Sequence, residues 1–207
     1  MLMFFLTMSG TTVFAQYDGF KLVDDAAAFR QRFATVASAI NTLRSDFTQE
    51  KKLSLLSERI RSNGSFMFKR PDKVRMEYVK PFPYLMVINK DKVYVKDNGR
   101  ENVINAGSSK VFQQVNAVML QSMNGTLLSN PDFKSQAFEG ANAWLVELVP
   151  LNANMKKLFD RILIQLSKKD MTALRIELRE PGGDETIITY SNRETNVEIA
   201  DDLFRIR

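Results

Sequence analysis

Between Asp46 and Lys96 apolar and polar residues alternate in short runs broken by turn signals, and a two-residue period of that kind cannot bury one face of a helix. Phe66 and Phe68, then Val74, Met76 and Tyr78, then Leu85 and Val87 stand at alternate positions, as half-buried antiparallel strands require. The runs cover residues 47–55, 59–69, 73–79, 84–89 and 92–96, with Arg70-Pro71-Asp72 and Asn89-Lys90-Asp91 between them as turns. The spacing predicts an antiparallel meander. Strands resume after Pro131, over 133–138, 143–149, 161–167, 172–178 and 185–191, with Lys168-Lys169-Asp170 and Pro181-Gly182-Gly183-Asp184 as hairpin turns. Phe204 and Ile206 read as a last edge strand.

Two stretches follow the helical period instead. Asp24 and Asp25 are N-terminal caps for a helix carrying Phe29, Phe33, Val36, Ile40 and Leu43 at intervals of four and three. Residues 110–128 place Val111, Val115, Val118, Met119 and Met123 on one side, interrupted by Asn124-Gly125. About ten strands and two helical regions, not interleaved strand by strand, argue against a parallel α/β sheet. The expected class is α+β, mainly β: one large curved antiparallel sheet packed on helices.

The chemistry available to such a chain is narrow. Its 207 residues contain no cysteine and no histidine, which excludes disulfides, thiolate nucleophiles, Ser-His-Asp triads and ordinary zinc sites. Glu139, Glu147, Asp160 and Asp184 are scattered, and no spacing pairs them for acid–base work. Pro181-Gly182-Gly183 lacks both a following helix and the Lys-Ser/Thr of a phosphate loop. No enzyme activity, cofactor or metal is expected. The formal charge of +5 is spread along the chain without a basic stripe, so nucleic acid is not an expected partner.

Leu2 to Met8 is an uncharged, mostly apolar run, and Val13-Phe14-Ala15 places small residues where a signal peptidase cuts. The expectation is a signal peptide over 1–15, cleaved before Gln16, and one domain over 16–207. No basic residue precedes the run, so the alternative is an apolar strand or helix of the fold itself. With no cysteine behind it, no thioether-linked lipid anchor is expected, and the processed protein should be soluble.

The order of parts resembles the periplasmic outer-membrane lipoprotein carriers, the LolA-type chaperones. The resemblance rests on the leader, the amphipathic helix, Phe47-Thr48-Gln49 opening the first long strand, the Arg70-Pro71 pair, Pro81, the mid-chain helix and the closing hairpins. It implies an unclosed β-barrel capped by helices, around an apolar cavity that takes the acyl chains of lipoproteins. The implied partners are acylated lipoproteins, an inner-membrane ABC transporter that hands them over, and an acceptor at the outer membrane. The carrier itself would act as a periplasmic monomer.

In that family the arginine of the Arg-Pro pair ties the helical lid to the barrel, and Arg70 holds that position. Read from the residues alone, Arg70 is better explained as a solvated turn residue before Pro71, and it is the resemblance that favours gating. Met76 stands where family members can carry an aromatic residue, which bears on the cavity's shape. The candidate cavity lining is Phe47, Phe66, Phe68, Val74, Met76, Tyr78, Leu85 and Val87. Alternation identifies an inward face, but a filled core has the same pattern. Met67, Met76, Met86, Met119 and Met123 are either adaptable cavity wall or ordinary gap-fillers. Trp144, alternating with Val146 and Leu148, reads as core. A binding module for another apolar ligand, such as a glycolipid or lipid precursor, is the competing function on the same fold, and a sensor of mislocalised lipoproteins is a third.

Overall fold

A computed structural model describes residues 17–55, 59–105 and 110–206, the side chains of 110–116 excepted. The leader expected over 1–15 lies outside the described residues, as do the side chains of Val111 and Val115. The strands are β1 (Phe20–Leu22), β2 (Thr42–Lys52), β3 (Arg59–Lys69), β4 (Lys73–Lys80), β5 (Tyr84–Asn89), β6 (Lys92–Asp97), β7 (Arg100–Asn105), β8 (Phe133–Gly140), β9 (Ala143–Pro150), β10 (Arg161–Ser167), β11 (Ala173–Arg179) and β12 (Glu185–Thr195). The helices are α1 (Ala26–Ser38), α2 (Lys110–Asn124) and the short α3 (Ala153–Lys156).

All twelve strands join one antiparallel sheet in the order β1-β8-β9-β10-β11-β12-β2-β3-β4-β5-β6-β7. Two meanders, β2 to β7 and β8 to β12, are sewn together where β12 pairs with β2. The outermost strands β1 and β7 do not pair with each other, so the sheet stays open, as expected. The segment carrying α2 must return from the β7 edge to β8 near the opposite edge. It does so across the inner face, beside α1, and the two helices cover that face.

The inner face holds two apolar clusters. Phe29 and Phe33 of α1 pack on Trp144, Val146, Leu148, Ile162 and Ile164 of the second meander. Met119, Leu120 and Met123 of α2 pack on Leu43, Phe47, Phe66, Phe68, Val74 and Met76 of the first. Asp25 caps α1, its Oδ1 accepting from the amides of Ala27 and Ala28 at 3.0 and 2.9 Å. The helix ends at Ser38, earlier than the periodicity suggested. Ile40 follows it in the connection, and Leu43 already belongs to β2. Both still face inward, which is why the apolar spacing ran on past the helix.

The outer face is covered at two places. Tyr17 and Phe20 pack over Phe138, Leu145 and Leu163. At the other side Val197, Ile199, Phe204 and Ile206 cross Met67, Leu85, Val87 and Tyr94. The edge strand expected at Phe204 and Ile206 is instead a tight helical turn, Asp201–Phe204, followed by extended chain. The strands beneath it are already paired on both sides, so the tail has no free edge to join. Phe204 is fully buried, a contribution of roughly 1.5–3 kcal/mol relative to exposure, and its carbonyl accepts from Asn89 Nδ2 at 3.0 Å. Two strands of the sheet escaped the sequence reading. β1 has three residues, and β7 is a wholly exposed edge reached through an Asn98-Gly99 turn with positive φ at both positions.

Asp201 pins the tail by accepting from Lys73 Nζ at 2.8 Å and pairing with Lys69 Nζ at 3.0 Å. These ammonium groups, Lys73 foremost, hold its carboxyl down to about 2. A carboxyl depressed in the folded state stabilises above its unfolded value and loses that contribution as pH falls toward the folded one. Amide protection of residues 197–206 should therefore weaken between about pH 4 and pH 2. In Asp201→Asn this pH dependence should shrink, and hydrogen exchange across that window measures both; a flat wild-type profile would remove the clamp.

Candidate functional site: an apolar cavity beneath α2

Between α2 and the inner face lies a cavity of about 220 Å³. Val118, Met119, Ser122 and Met123 of α2 form its roof. The first meander supplies Leu43, Ser45, Phe66, Met76, Tyr78 and Met86, and the second supplies Phe159, Ile162, Ile164, Ala173, Ile176, Leu178, Ile188, Tyr190 and Arg193. A smaller void of about 40 Å³ lies beside it toward α1, sharing Leu43, Ser122, Met123, Ile164, Ala173 and Ile176 as common walls. Met123 thus stands between the two spaces.

The expected lining residues divide three ways. Phe66, Met76 and Tyr78 line the cavity; the cross-strand pairs Phe66–Met76 and Met76–Met86 bring their side chains to one face. Phe47, Phe68 and Val74 share that face but sit in the packed cluster around it, at 0–1% exposure. Leu85 and Val87 belong to the outer face, under the tail, and this corrects their expected place. β5 runs Tyr-Leu-Met-Val-Ile before its last residue, Asn89, without apolar–polar contrast because both its faces are covered, so alternation could not choose its inward set. Register chose Met86 and Ile88. Of the methionines named from the sequence, Met76, Met86, Met119 and Met123 converge on the cavity, while Met67 lies outside under the tail.

Half the wall was missed. Ile162 and Ile164, Ile176 and Leu178, and Ile188 and Tyr190 show the same alternation as the first meander, a signal that identifies an inward face without assigning it to a cavity. Ser45 and Arg193 gave no such signal, being polar residues on an apolar wall.

Aromatic rings form the rim of the cavity. Phe47, Tyr78 and Tyr84 stack edge to face, with centroids 4.9 and 5.6 Å apart. The Tyr78 hydroxyl donates to Gln49 Oε1 at 2.9 Å, and burial pushes it up to about 12. Burial raises Tyr190 further still.

Arg70 occupies the junction of the two helices and the sheet. Its Nη2 donates to the carbonyls of Ala37 (2.8 Å), Ile40 (2.9 Å) and Met123 (3.5 Å), its Nε to Ile40 (3.1 Å), and its Nη1 to Asn124 Oδ1 (2.8 Å). The C-terminal ends of α1 and α2 therefore meet on one guanidinium, where unsatisfied carbonyls and the helix dipoles favour a cation. Next to it, Gly125 takes φ +77, and a Cβ there would lie 2.8 Å from Ala34 Cα of α1.

No group of three or more acidic side chains able to hold a metal occurs among the described residues, and no described helix is long and apolar enough to cross a membrane.

The family model described as "Outer membrane lipoprotein carrier protein LolA" matches residues 38–207. The chain belongs to the outer-membrane lipoprotein carrier family. An outer-membrane lipoprotein carrier protein of Methylococcus capsulatus is 27% identical over 178 residues, covering 85% of this chain and 82% of the relative. One of Cupriavidus pinatubonensis is 26% identical over 182 residues, covering 86% and 83%. Among solved structures, a conserved protein from Thermus thermophilus has TM-score 0.53 at 10% identity, over 88% of this chain and 95% of that one. A DUF1329 family protein from Desulfovibrio piger has TM-score 0.52 at 12% identity, over 86% and 95%. These two likenesses concern the fold alone. The carrier family is one of chaperones rather than enzymes, in agreement with the scattered carboxylates of this chain.

Gly125→Ala forces a side chain into left-handed backbone and against α1, and should cost about 1–3 kcal/mol. Urea unfolding measures the loss; an unchanged midpoint would show that α1 and α2 tolerate separation at this point.

Proposed function

We propose that this chain is a periplasmic carrier that holds the acyl chains of lipoproteins in the cavity beneath α2. It takes them from an inner-membrane ABC transporter and passes them to an acceptor at the outer membrane. The observation that carries this reading is the cavity itself: an apolar space inside a packed fold, roofed by a helix whose end is latched by one side chain. Residues 1–15 would direct export and be removed, leaving one domain from Gln16 onward; the joining of all twelve strands in one sheet supports the single domain.

The energetics suit transfer. Each buried methylene contributes about 0.8 kcal/mol, so a long acyl chain enclosed on all sides would be held too tightly to hand on. A wall containing four methionines repacks around varied shapes without locking onto any. Opening the roof lowers the burial further, and the roof is joined to the sheet where Arg70 meets α2. Arg70 is then the gating residue: the latch closes α2 over the cavity, and breaking its hydrogen bonds frees the helix to move.

Native mass spectrometry of the protein purified from its own periplasm tests the ligand, with acylated lipoprotein adducts expected. A bound glycolipid or other small apolar molecule would favour the competing function. Ile176→Trp, placed where the two voids share a wall, should fill the space and abolish the adducts while the protein stays folded by circular dichroism; adducts that persist would put the ligand elsewhere. Arg70→Leu should take up cargo normally but fail to deliver it in a reconstituted transfer to acceptor-bearing vesicles. Normal delivery by that variant would remove the gating role.

A further inference from the structure

The wall of the cavity breaks its apolar pattern where β12 crosses β2. Tyr190 pairs with Phe47 and Ser191 with Asp46, but the next pair is Glu194 with Arg44. Asn192 and Arg193 therefore stand opposite Ser45 alone, as a β-bulge. Regular alternation from Ile188 and Tyr190 would turn residue 192 inward and residue 193 outward. The bulge reverses this: Asn192, at φ +50, is exposed, and Arg193 joins the cavity lining. Outer-face contacts hold the bulge on both sides, through Asn192 Nδ2 donating to Asp46 Oδ2 at 2.7 Å and the Arg44–Glu194 ion pair.

Ser45 and Arg193 thereby border the apolar space side by side at the bulge, whereas the other polar atoms of the lining are engaged elsewhere, the Ser122 hydroxyl donating to the Val118 carbonyl and the Tyr78 hydroxyl to Gln49. Ser45 is 2% exposed, and its hydroxyl is buried with no hydrogen-bond partner among the described residues. An unmet hydroxyl in that position costs stability. Arg193 donates through Nε to Thr172 Oγ1 at 3.1 Å and through Nη1 to the Tyr190 carbonyl at 3.3 Å. It forms no ion pair among the described residues. The acid that senses its charge is Asp170, which is engaged elsewhere: burial opposes its charge, but hydrogen bonds from Thr172 and Ser167, helped by Arg193, hold its carboxyl below the usual range. A wall serving only to exclude water has no use for an unpartnered hydroxyl, nor for a bulge that turns a guanidinium inward.

We propose that Ser45 and Arg193 form a polar anchor for the carboxyl or ester oxygens of a long-chain acyl group, fixing which end of the chain lies at β12. The proposal rests on the reading that the cavity takes acyl chains, and it adds the direction in which they enter. A guanidinium whose Nη2 makes no hydrogen bond among the described residues, on the residue opposite the unmet Ser45 hydroxyl, offers donors to the oxygens of a carboxylate or an ester. Contacts of this kind gain strength against an apolar wall. The methionines of β4, β5 and α2 are left to the hydrocarbon tail.

Equilibrium dialysis with three probes of one chain length, palmitic acid, methyl palmitate and hexadecane, separates the possibilities. Wild-type protein should bind both oxygenated probes more tightly than hexadecane. A strong preference for the acid assigns the anchor to free carboxylates, and near-equal affinity for the methyl ester assigns it to lipid esters. Arg193→Met should weaken binding of the preferred oxygenated probe by about tenfold to a hundredfold and leave hexadecane unchanged. Ser45→Ala should also weaken the oxygenated probes, yet raise the melting temperature of the ligand-free protein by about 2–4 °C, since it deletes an unmet hydroxyl.

Equal wild-type affinity for all three probes would overturn the anchor and leave the carrier reading standing. The anchor is equally overturned if Arg193→Met changes nothing, or if all three probes weaken together, which marks a packing role. Failure of wild-type protein to bind any probe would overturn both.

Discussion

Three backbone carbonyls and one amide oxygen converge on the guanidinium of Arg70, and the closure of the fold depends on that convergence. The ends of α1 and α2 point carbonyl dipoles at each other, an arrangement that repels unless a cation lies between them. Arginine supplies the cation and enough donors, in a fixed fork, to satisfy several acceptors at once. Lysine would supply the charge without the planar fork. Because Arg70 sits at the end of β3, the same side chain fixes both helices to the sheet they cover.

The inner face divides into regions of different character. Under α1 the sheet is covered by Phe29, Phe33, Trp144, Leu148 and their neighbours, a buried cluster that leaves only a small void. Under α2 the packing stops short and leaves the cavity, bordered by thioethers and aromatic rings. An open sheet makes this possible: with β1 and β7 unpaired, the helices rather than further strands complete the enclosure. Covers on the outer face, Tyr17 and Phe20 at one side and the tail through Phe204 at the other, give the curved sheet a second layer.

Much of the fold was legible in the sequence. β3 and β5 begin and end where alternation and turn residues placed them, and the mid-chain helix starts at Lys110 as read. Legibility failed where local pattern carried too little information. β7 is an edge with no buried face, so its residues show no contrast to read. β5 is buried on both faces, so Leu85 and Val87 looked as inward as Met86 and Ile88. The tail residue Phe204 looked like a strand residue because apolar spacing cannot distinguish pairing with an edge from packing on a face.

What the sequence by itself determined was the class of the protein and the limits of its chemistry. Alternation fixes an antiparallel sheet, two helical periods provide its cover, and the absence of cysteine and histidine removes most catalytic and metal chemistry. Tertiary structure alone decided which apolar residues surround a space and which fill one, because that difference depends on how far α2 stands from the sheet. It also decided the direction of Arg193. That side chain faces the cavity only because a bulge places two residues of β12 opposite one of β2, a mismatch between distant segments that neither segment carries on its own.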